Sequence, residues 1–192
     1  MSCEDSFIEK KIHIHGTNNR YQIKKLIKND NDSKIKSRIV SDSWNFTQSQ
    51  LEDDNQLIIL NRLFFDDIAV NKIYFDAEST VMLQQIKQKL SGYKRQDVIK
   101  NMWNESTFID ISHVIHKMID SKLLCYYCGH SMRVLYDVSR EMKQWTIDRI
   151  DNNKGHDNDN YHLACLECNL KRRRQSDDKF LFTKQLKIIK HD

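Results

Sequence analysis

The chain has 192 residues, of which 39% are hydrophobic and 30% are charged, and its formal net charge is +4. This length accommodates one domain with a substantial core, or a small domain with a helical extension. No run of about 18 apolar residues occurs, which excludes a transmembrane helix. The first residues lack the apolar segment of a secretory signal, so we expect an intracellular protein that is not secreted and has no membrane partner.

The excess positive charge is confined to the last part of the chain. From Ser121 to Asp192 there are 14 Lys and Arg residues against 10 Asp and Glu residues, whereas the preceding 120 residues contain 17 of each kind. A locally basic segment favours polyanionic partners such as nucleic acid.

The first half of the chain is predicted to be largely helical. A short strand is expected around Ile12 and Ile14, and a helix over residues 20–30. Residues 57–75 are rich in aliphatic and aromatic side chains, and they fit a buried helix followed by a strand.

A better-defined helix is predicted over residues 79–90, where the apolar residues recur on one helical face. Ser79 or Thr80 is its expected N-cap, and Gly92 lies just past its expected end. A second short helix is predicted over residues 95–103.

The remaining elements alternate between helix and strand. A helix over residues 106–124 is predicted to lead the chain to Cys125. Beyond it we expect strands at 132–139 and 143–150, a loop at 151–160, helical structure from Leu163 onward, and a last amphipathic stretch at 179–189 that packs back on the body.

Two Cys-x-x-Cys pairs are the strongest motif. Without a signal peptide, paired cysteines are more often metal ligands than disulfides. Each pair presents two thiolates from a compact turn, and two such turns complete the shell of a tetrahedral zinc. The sequence therefore predicts one structural zinc, held by Cys125, Cys128, Cys165 and Cys168, with the 36 residues between the pairs folded as a hairpin and loop.

A second candidate site lies between the two pairs. A strand ending near Asp148, a polar loop containing Gly155 and Asn160, and a helix that carries Asn169 form a strand–loop–helix arrangement. Carboxylate and amide oxygens are hard ligands that suit Mg²⁺ or Mn²⁺. The alternative is a loop aspartate and a helix-capping asparagine without a metal.

Together these motifs resemble a known family. The segment from Cys125 to Arg174 is similar to HNH endonucleases of the zinc-bracketed type, which carry a ββα-metal finger. It looks most like the uncharacterised HNH proteins of large DNA viruses and phages. The matching positions, in chain order, are Cys125, Cys128, Asp148, Gly155, Asn160, Cys165, Cys168 and Asn169.

The resemblance implies a function for several residues. Asp148 and Asn169 would hold one catalytic Mg²⁺ or Mn²⁺, and Asn160 would brace the loop. The four cysteines would hold the structural zinc. The reaction would be hydrolysis of phosphodiester bonds in DNA, by nicking or cleavage, with the metal stabilising the charge that develops at phosphorus.

One position departs from the family pattern. The family places its general-base histidine directly after the aspartate, and here that position is Arg149, whose guanidinium cannot accept a proton from water. Another group then serves as the base, or Arg149 clamps the scissile phosphate while a metal-bound water attacks, or the finger binds nucleic acid without cleaving it. The candidate bases are His156, which we favour, and His162, His130, Tyr127 and Tyr136.

A basic run, Lys171 to Arg174, begins just after Asn169. Next to a metal site, we expect Lys171, Arg172, Arg173 and Arg174 to contact phosphates. The alternative is a solvated helix end, where basic side chains suit the helix dipole.

The resulting expectation is an α+β protein. Residues 1–100 form a largely helical region of unknown role, and residues 101–192 form a zinc-stabilised ββα-metal domain with leading and trailing helices. The expected function is a metal-dependent DNA endonuclease. The alternatives are a catalytically inactive nucleic-acid-binding zinc protein, such as a virion or transcription component, and a finger that serves only as a folding nucleus.

Overall fold

The computed structural model describes residues 36–39, 41, 44, 46–69 and 76–186. The strand expected near Ile12, the helix over 20–30 and the strand that ends the 57–75 segment lie outside these ranges. Within them the chain forms a short 3₁₀ turn (Ser49–Leu51), five helices and a two-stranded sheet. In chain order these are α1 (Asp53–Ala69), α2 (Ala77–Ile99), α3 (Ile111–Asp120), β1 (Trp145–Arg149), β2 (Tyr161–Cys165), α4 (Leu166–Arg172) and α5 (Asp177–Gln185).

Helix α2 is longer than the sequence predicts. Its N-cap is Asp76, whose carboxylate accepts a hydrogen bond from the Ser79 backbone N–H at 2.7 Å, so the prediction of Ser79 or Thr80 as the cap was wrong. The helix continues through Gly92, and the separate helix predicted over 95–103 is its C-terminal part. A glycine inside a helix destabilises the helix by only about 1 kcal/mol relative to alanine, so Gly92 does not end α2.

Helix α3 begins at an aspartate cap. The Asp110 carboxylate accepts hydrogen bonds from the backbone N–H groups of the first turn, at 3.0 and 3.2 Å. Val114, Ile115 and Met118 are buried, and this face packs on α1 and α2. Helix α3 is shorter than the predicted 106–124. The Asp110 cap sets its first residue at Ile111, and its last residue is Asp120.

One hydrophobic core extends from the helices to the cysteine region. Leu60 of α1, Met82 of α2 and Met118 of α3 are fully buried in the same cluster as Leu135 and Trp145. The helices before residue 100 therefore share a core with the sequence that follows it. No helix in the described ranges is both long enough and apolar enough to span a membrane.

The strand predicted over residues 132–139 is not formed, and the segment makes only isolated bridges. The N–H groups of Val134 and Leu135 donate instead to Oε1 of Gln56, at 2.7 and 2.8 Å. The Gln56 amide in turn donates to the carbonyls of Leu51 and Leu135 at 2.8 and 2.9 Å. A fully buried side chain thus takes the place of a partner strand.

The sheet is an antiparallel hairpin in which Trp145 is paired with Cys165 and Arg149 with Tyr161. The predicted strand over 143–150 is thus formed over Trp145–Arg149. The helical structure predicted from Leu163 starts only at Leu166, because β2 continues to Cys165. We call β1, β2, α4 and the intervening loop (Trp145–Arg172) the finger. Helices with one small antiparallel sheet confirm the α+β class.

A polar stripe of α2 holds the finger against the helices. Lys89 donates to the Trp145 carbonyl, and Tyr93 Oη accepts the Ile147 N–H at 3.0 Å. At the loop, a Cβ atom on Gly155 would lie 2.6 Å from the carbonyl oxygen of Met102, which follows α2. Only glycine therefore allows this close approach.

Candidate metal centre and finger face

The two cysteine pairs converge on one point. Their four sulfur atoms lie within 4.8 Å of one another, and Cys128 Sγ is 4.0 Å from Cys165 Sγ. Gly129, with a φ of +66°, allows the turn that follows the first pair. The backbone N–H groups of Cys165 and Cys168 point at sulfurs of Cys125 and Cys165, at 3.3 and 3.4 Å. The turn and the start of α4 thus aim all four thiols inward.

This cluster fits a metal ion such as zinc. Zinc–thiolate bonds are about 2.3 Å long in tetrahedral sites, which corresponds to sulfurs roughly 3.8 Å apart. Hydrogen bonds from Cys165 and Cys168 lower the pKa of Cys125 far below its usual range, so one thiolate forms readily. Four thiol ligands leave no open coordination position, which is the arrangement of a structural site.

Asp148 is buried on the finger and both of its carboxylate oxygens are occupied. Arg172 Nη1 donates to Oδ1 at 2.7 Å, and the Tyr127 hydroxyl donates to Oδ2 at 2.7 Å. Burial raises the pKa of Asp148 more than Tyr127 and Arg172 lower it. Burial also raises the pKa of Tyr127, so its hydroxyl remains a proton donor.

Arg172 is itself one of the most deeply buried side chains. Its relative exposure is 2%, and it also donates to the carbonyls of Arg149 and Ile150 at 2.8 and 3.0 Å. This differs from the expectation that the basic run would act as one phosphate-binding surface. Lys171 is exposed and pairs with Glu167, and Arg173 and Arg174 are exposed.

Asn169 lies on the same side of the finger as Asp148. Its amide nitrogen donates to Thr146 Oγ1 at 3.0 Å and to the Ile147 carbonyl at 3.3 Å. Thr146 and Asp148 are two residues apart on β1, so their side chains share a face of the hairpin. The structure thus brings Asp148 and Asn169 to one face, with the nitrogen end of the amide bonded to the strand.

Arg149 and Asn160 both bond to the finger loop. Arg149 Nη1 donates to the Lys154 carbonyl at 2.8 Å. The Asn160 amide donates to the carbonyls of Asp151 and Gly155 at 3.1 and 2.9 Å and accepts the Asp151 N–H at 2.9 Å. These bonds connect the two ends of the loop.

His156, the favoured base candidate, contacts α2. Its Nδ1 lies 2.7 Å from Asp97 Oδ1, and its backbone N–H donates to Asp97 Oδ2 at 2.7 Å. Its ring lies 4.6 Å from that of Tyr93, and burial lowers its pKa. His156 and Asp148 therefore share no hydrogen-bond partner. Sequence reasoning missed Asp97, although Lys89, Tyr93 and Asp97 recur at intervals of four on one helix face.

His162 lies next to Asp148 instead. The two residues are direct cross-strand partners in the hairpin, so their side chains project from the same face. His162 Nε2 is 3.2 Å from Asp177 Oδ2 of α5, and its ring stacks on Tyr126 at 3.6 Å. Burial lowers the pKa of His162, and Asp177 opposes this shift.

Comparison with known proteins gives no independent guide to this site. No protein-family model matches the chain, no curated protein matches it, and no solved structure matches it.

Proposed function

We propose that this chain is a zinc-stabilised nucleic-acid-binding protein, built on a finger of the HNH type whose cation site is filled by its own arginine. The observation that carries the proposal is the buried ion pair between Arg172 and Asp148. One Zn²⁺ per chain, held by the four cysteines, holds the hairpin and α4 together.

The ion pair argues against a divalent metal at Asp148. A hard cation needs carboxylate oxygens with free lone pairs and room for several waters. Here Arg172 supplies the positive charge, and a guanidinium stays protonated at any working pH. Moving it aside would leave a buried cation without its carboxylate, which costs several kcal/mol.

Nucleic acid is the proposed partner because of the exposed cations that follow α4. Arg173 and Arg174 are exposed and have no acidic partner within the described ranges. They lie five and six residues after Cys168, in the part of the chain that carries the excess positive charge. Such cations bind phosphates without sequence preference, and their binding weakens as salt increases.

The test is binding to a short DNA duplex, measured by fluorescence anisotropy between 50 and 200 mM salt. Each phosphate contact contributes about −0.9 to the slope of log K against log salt, so neutralising Arg173 and Arg174 to glutamine should reduce the slope by about two. Neutralising Lys179 and Lys184 of α5 is the charge-matched control. The absence of binding to DNA and to RNA at 50 mM salt would refute the proposal.

An endonuclease is the second candidate function. Asp148, Asn169 and His162 lie on one face of the finger, where Asp148 and Asn169 would hold Mg²⁺ or Mn²⁺ once Arg172 had moved. The metal would supply electrophilic stabilisation of the phosphate, and His162 would accept the proton from water.

A supercoiled-plasmid assay separates the two candidates. If the wild-type chain nicks DNA with Mg²⁺ or Mn²⁺ and Asp148→Ala does not, the endonuclease holds. If the two proteins are equally inactive while the wild type still binds DNA, the binding function holds.

A further inference from the structure

A cationic cavity lies where α2 meets Trp145, the first residue of β1, and the segment that precedes it. Its volume is about 190 Å³, which is room for several waters. The lining residues are Arg38, Gln85, Gln88, Lys89, Val134, Tyr136 and Trp145. All of its charged side chains are therefore cations.

The first cation, Arg38, is held in place by the wall of the cavity. Its guanidinium lies over the Tyr136 ring at 4.0 Å and donates to the Tyr136 carbonyl at 3.0 Å. A second donor reaches Gln85 Oε1 at 2.9 Å. Two of the five guanidinium N–H groups are used in this way, and three remain.

The second cation, Lys89, enters from α2. Its ammonium donates to Gln144 Oε1 at 3.0 Å and to the Trp145 carbonyl, and it lies 4.8 Å from the centre of the Trp145 ring. These acceptors are neutral, and one of its three donors remains.

Neither cation has an ion-pair partner in the described part of the chain. No carboxylate there lies within 4.0 Å of either one, whereas nearby Arg133 pairs with both Asp53 and Glu141. Burial and the charge of Arg38 lower the pKa of Lys89 to about 7. Two adjacent cations in a partly buried site are unfavourable until an anion joins them.

We propose that this cavity is an oxyanion site that takes a phosphate group between Arg38 and Lys89. The remaining donors of the two side chains suit a tetrahedral oxyanion, and charge-assisted hydrogen bonds to phosphate are the strong kind. This site does not rest on the proposed binding of nucleic acid by Arg173 and Arg174. None of the residues that line the cavity lies in α4 or after it. The phosphate belongs either to a small molecule or to a nucleic-acid backbone.

The test follows Lys89 by NMR in the full-length zinc-bound chain labelled at the lysine side-chain carbons. Inorganic phosphate, compared with chloride at equal ionic strength, should raise the Lys89 pKa from about 7. Apparent phosphate affinity, taken from the same titration or from the thermal midpoint, should fall about tenfold or more in Arg38→Gln, the loss expected for one charge-assisted hydrogen bond. Lys87→Met, an exposed lysine of α2, is the matched control.

The two phosphate sources give different results. A response to inorganic phosphate that survives neutralisation of Arg173 and Arg174 supports a small-molecule phosphate. A response to a DNA duplex, but not to inorganic phosphate, supports a backbone phosphate. If neither probe shifts Lys89, or if Arg38→Gln responds as the wild type does, the site is refuted. Lys89→Met removes a buried charge, so this variant should remain folded. Because it lacks the ammonium that would bind phosphate, its thermal midpoint should not respond to phosphate.

Discussion

Replacing Arg172 by methionine tests the interior of the finger most directly. The guanidinium makes three hydrogen bonds, to one carboxylate oxygen and two carbonyls, and the side chains of the pair are only 1% and 5% exposed. Methionine retains much of the apolar volume but leaves Asp148 as a buried carboxylate with Tyr127 alone. Removing one partner of a buried pair costs about 3–5 kcal/mol, a large share of the 5–15 kcal/mol that holds a typical domain together.

Urea denaturation at constant zinc concentration measures this loss, and Arg173→Met is the control. Arg173 is the next residue and is exposed, so its substitution should change the free energy of unfolding by no more than about 0.5 kcal/mol. The double variant Arg172→Met with Asp148→Asn should recover at least about 1 kcal/mol, because it removes the orphaned charge.

The pH dependence separates a lost ion pair from lost packing. Without Arg172, the pKa of Asp148, already raised by burial, should rise further. A carboxyl group with a raised folded-state pKa binds more protons in the folded state, so stability falls as pH rises above the usual carboxyl range. The deficit of Arg172→Met should therefore be smaller at pH 5 than at pH 7. At pH 7, the free energy of unfolding of Arg172→Met should lie well below that of Arg173→Met. A difference of less than about 1 kcal/mol between the two variants would contradict the buried ion pair.

Three further predictions concern the metal cluster, the loop and the cavity. Cys165→Ser should abolish the single bound zinc in elemental analysis and unfold the finger by circular dichroism, whereas Cys3→Ser, which leaves both Cys-x-x-Cys pairs of the sequence intact, should do neither. Gly155→Ala should destabilise the chain by about 1–3 kcal/mol because its Cβ would clash with a backbone carbonyl, whereas Gly92→Ala, in an open mid-helix position, should stabilise it by about 0.5–1 kcal/mol. In chloride buffer the unfolding free energy should rise as pH rises from about 7, because Lys89 is deprotonated in the folded state but not in the unfolded one; Lys89→Met should remove that slope.

Local patterns predicted the elements whose structure is determined locally. The hairpin strand around Trp145, the polar loop and the convergence of the cysteines follow from alternation, composition and spacing. The strand expected around Val134 fails for a non-local reason, because its N–H donors are satisfied by Gln56, 78 residues earlier in the chain. Nothing in a local window distinguishes such a buried glutamine from a solvated one.

The inward position of Arg172, by contrast, follows from spacing already present in the sequence. Cys168 must point inward to join the other three thiols. On a helix, the residue four positions later lies on the same face, one turn further along. That residue is Arg172, the last residue of α4. Arg173 follows as the C-cap with a φ of +55°, which ends the helix, and Arg173 and Arg174 are exposed. Because Cys168 points into the metal cluster, Arg172 on the same face of α4 must also point into the interior. There only a carboxylate such as Asp148 can neutralise its charge.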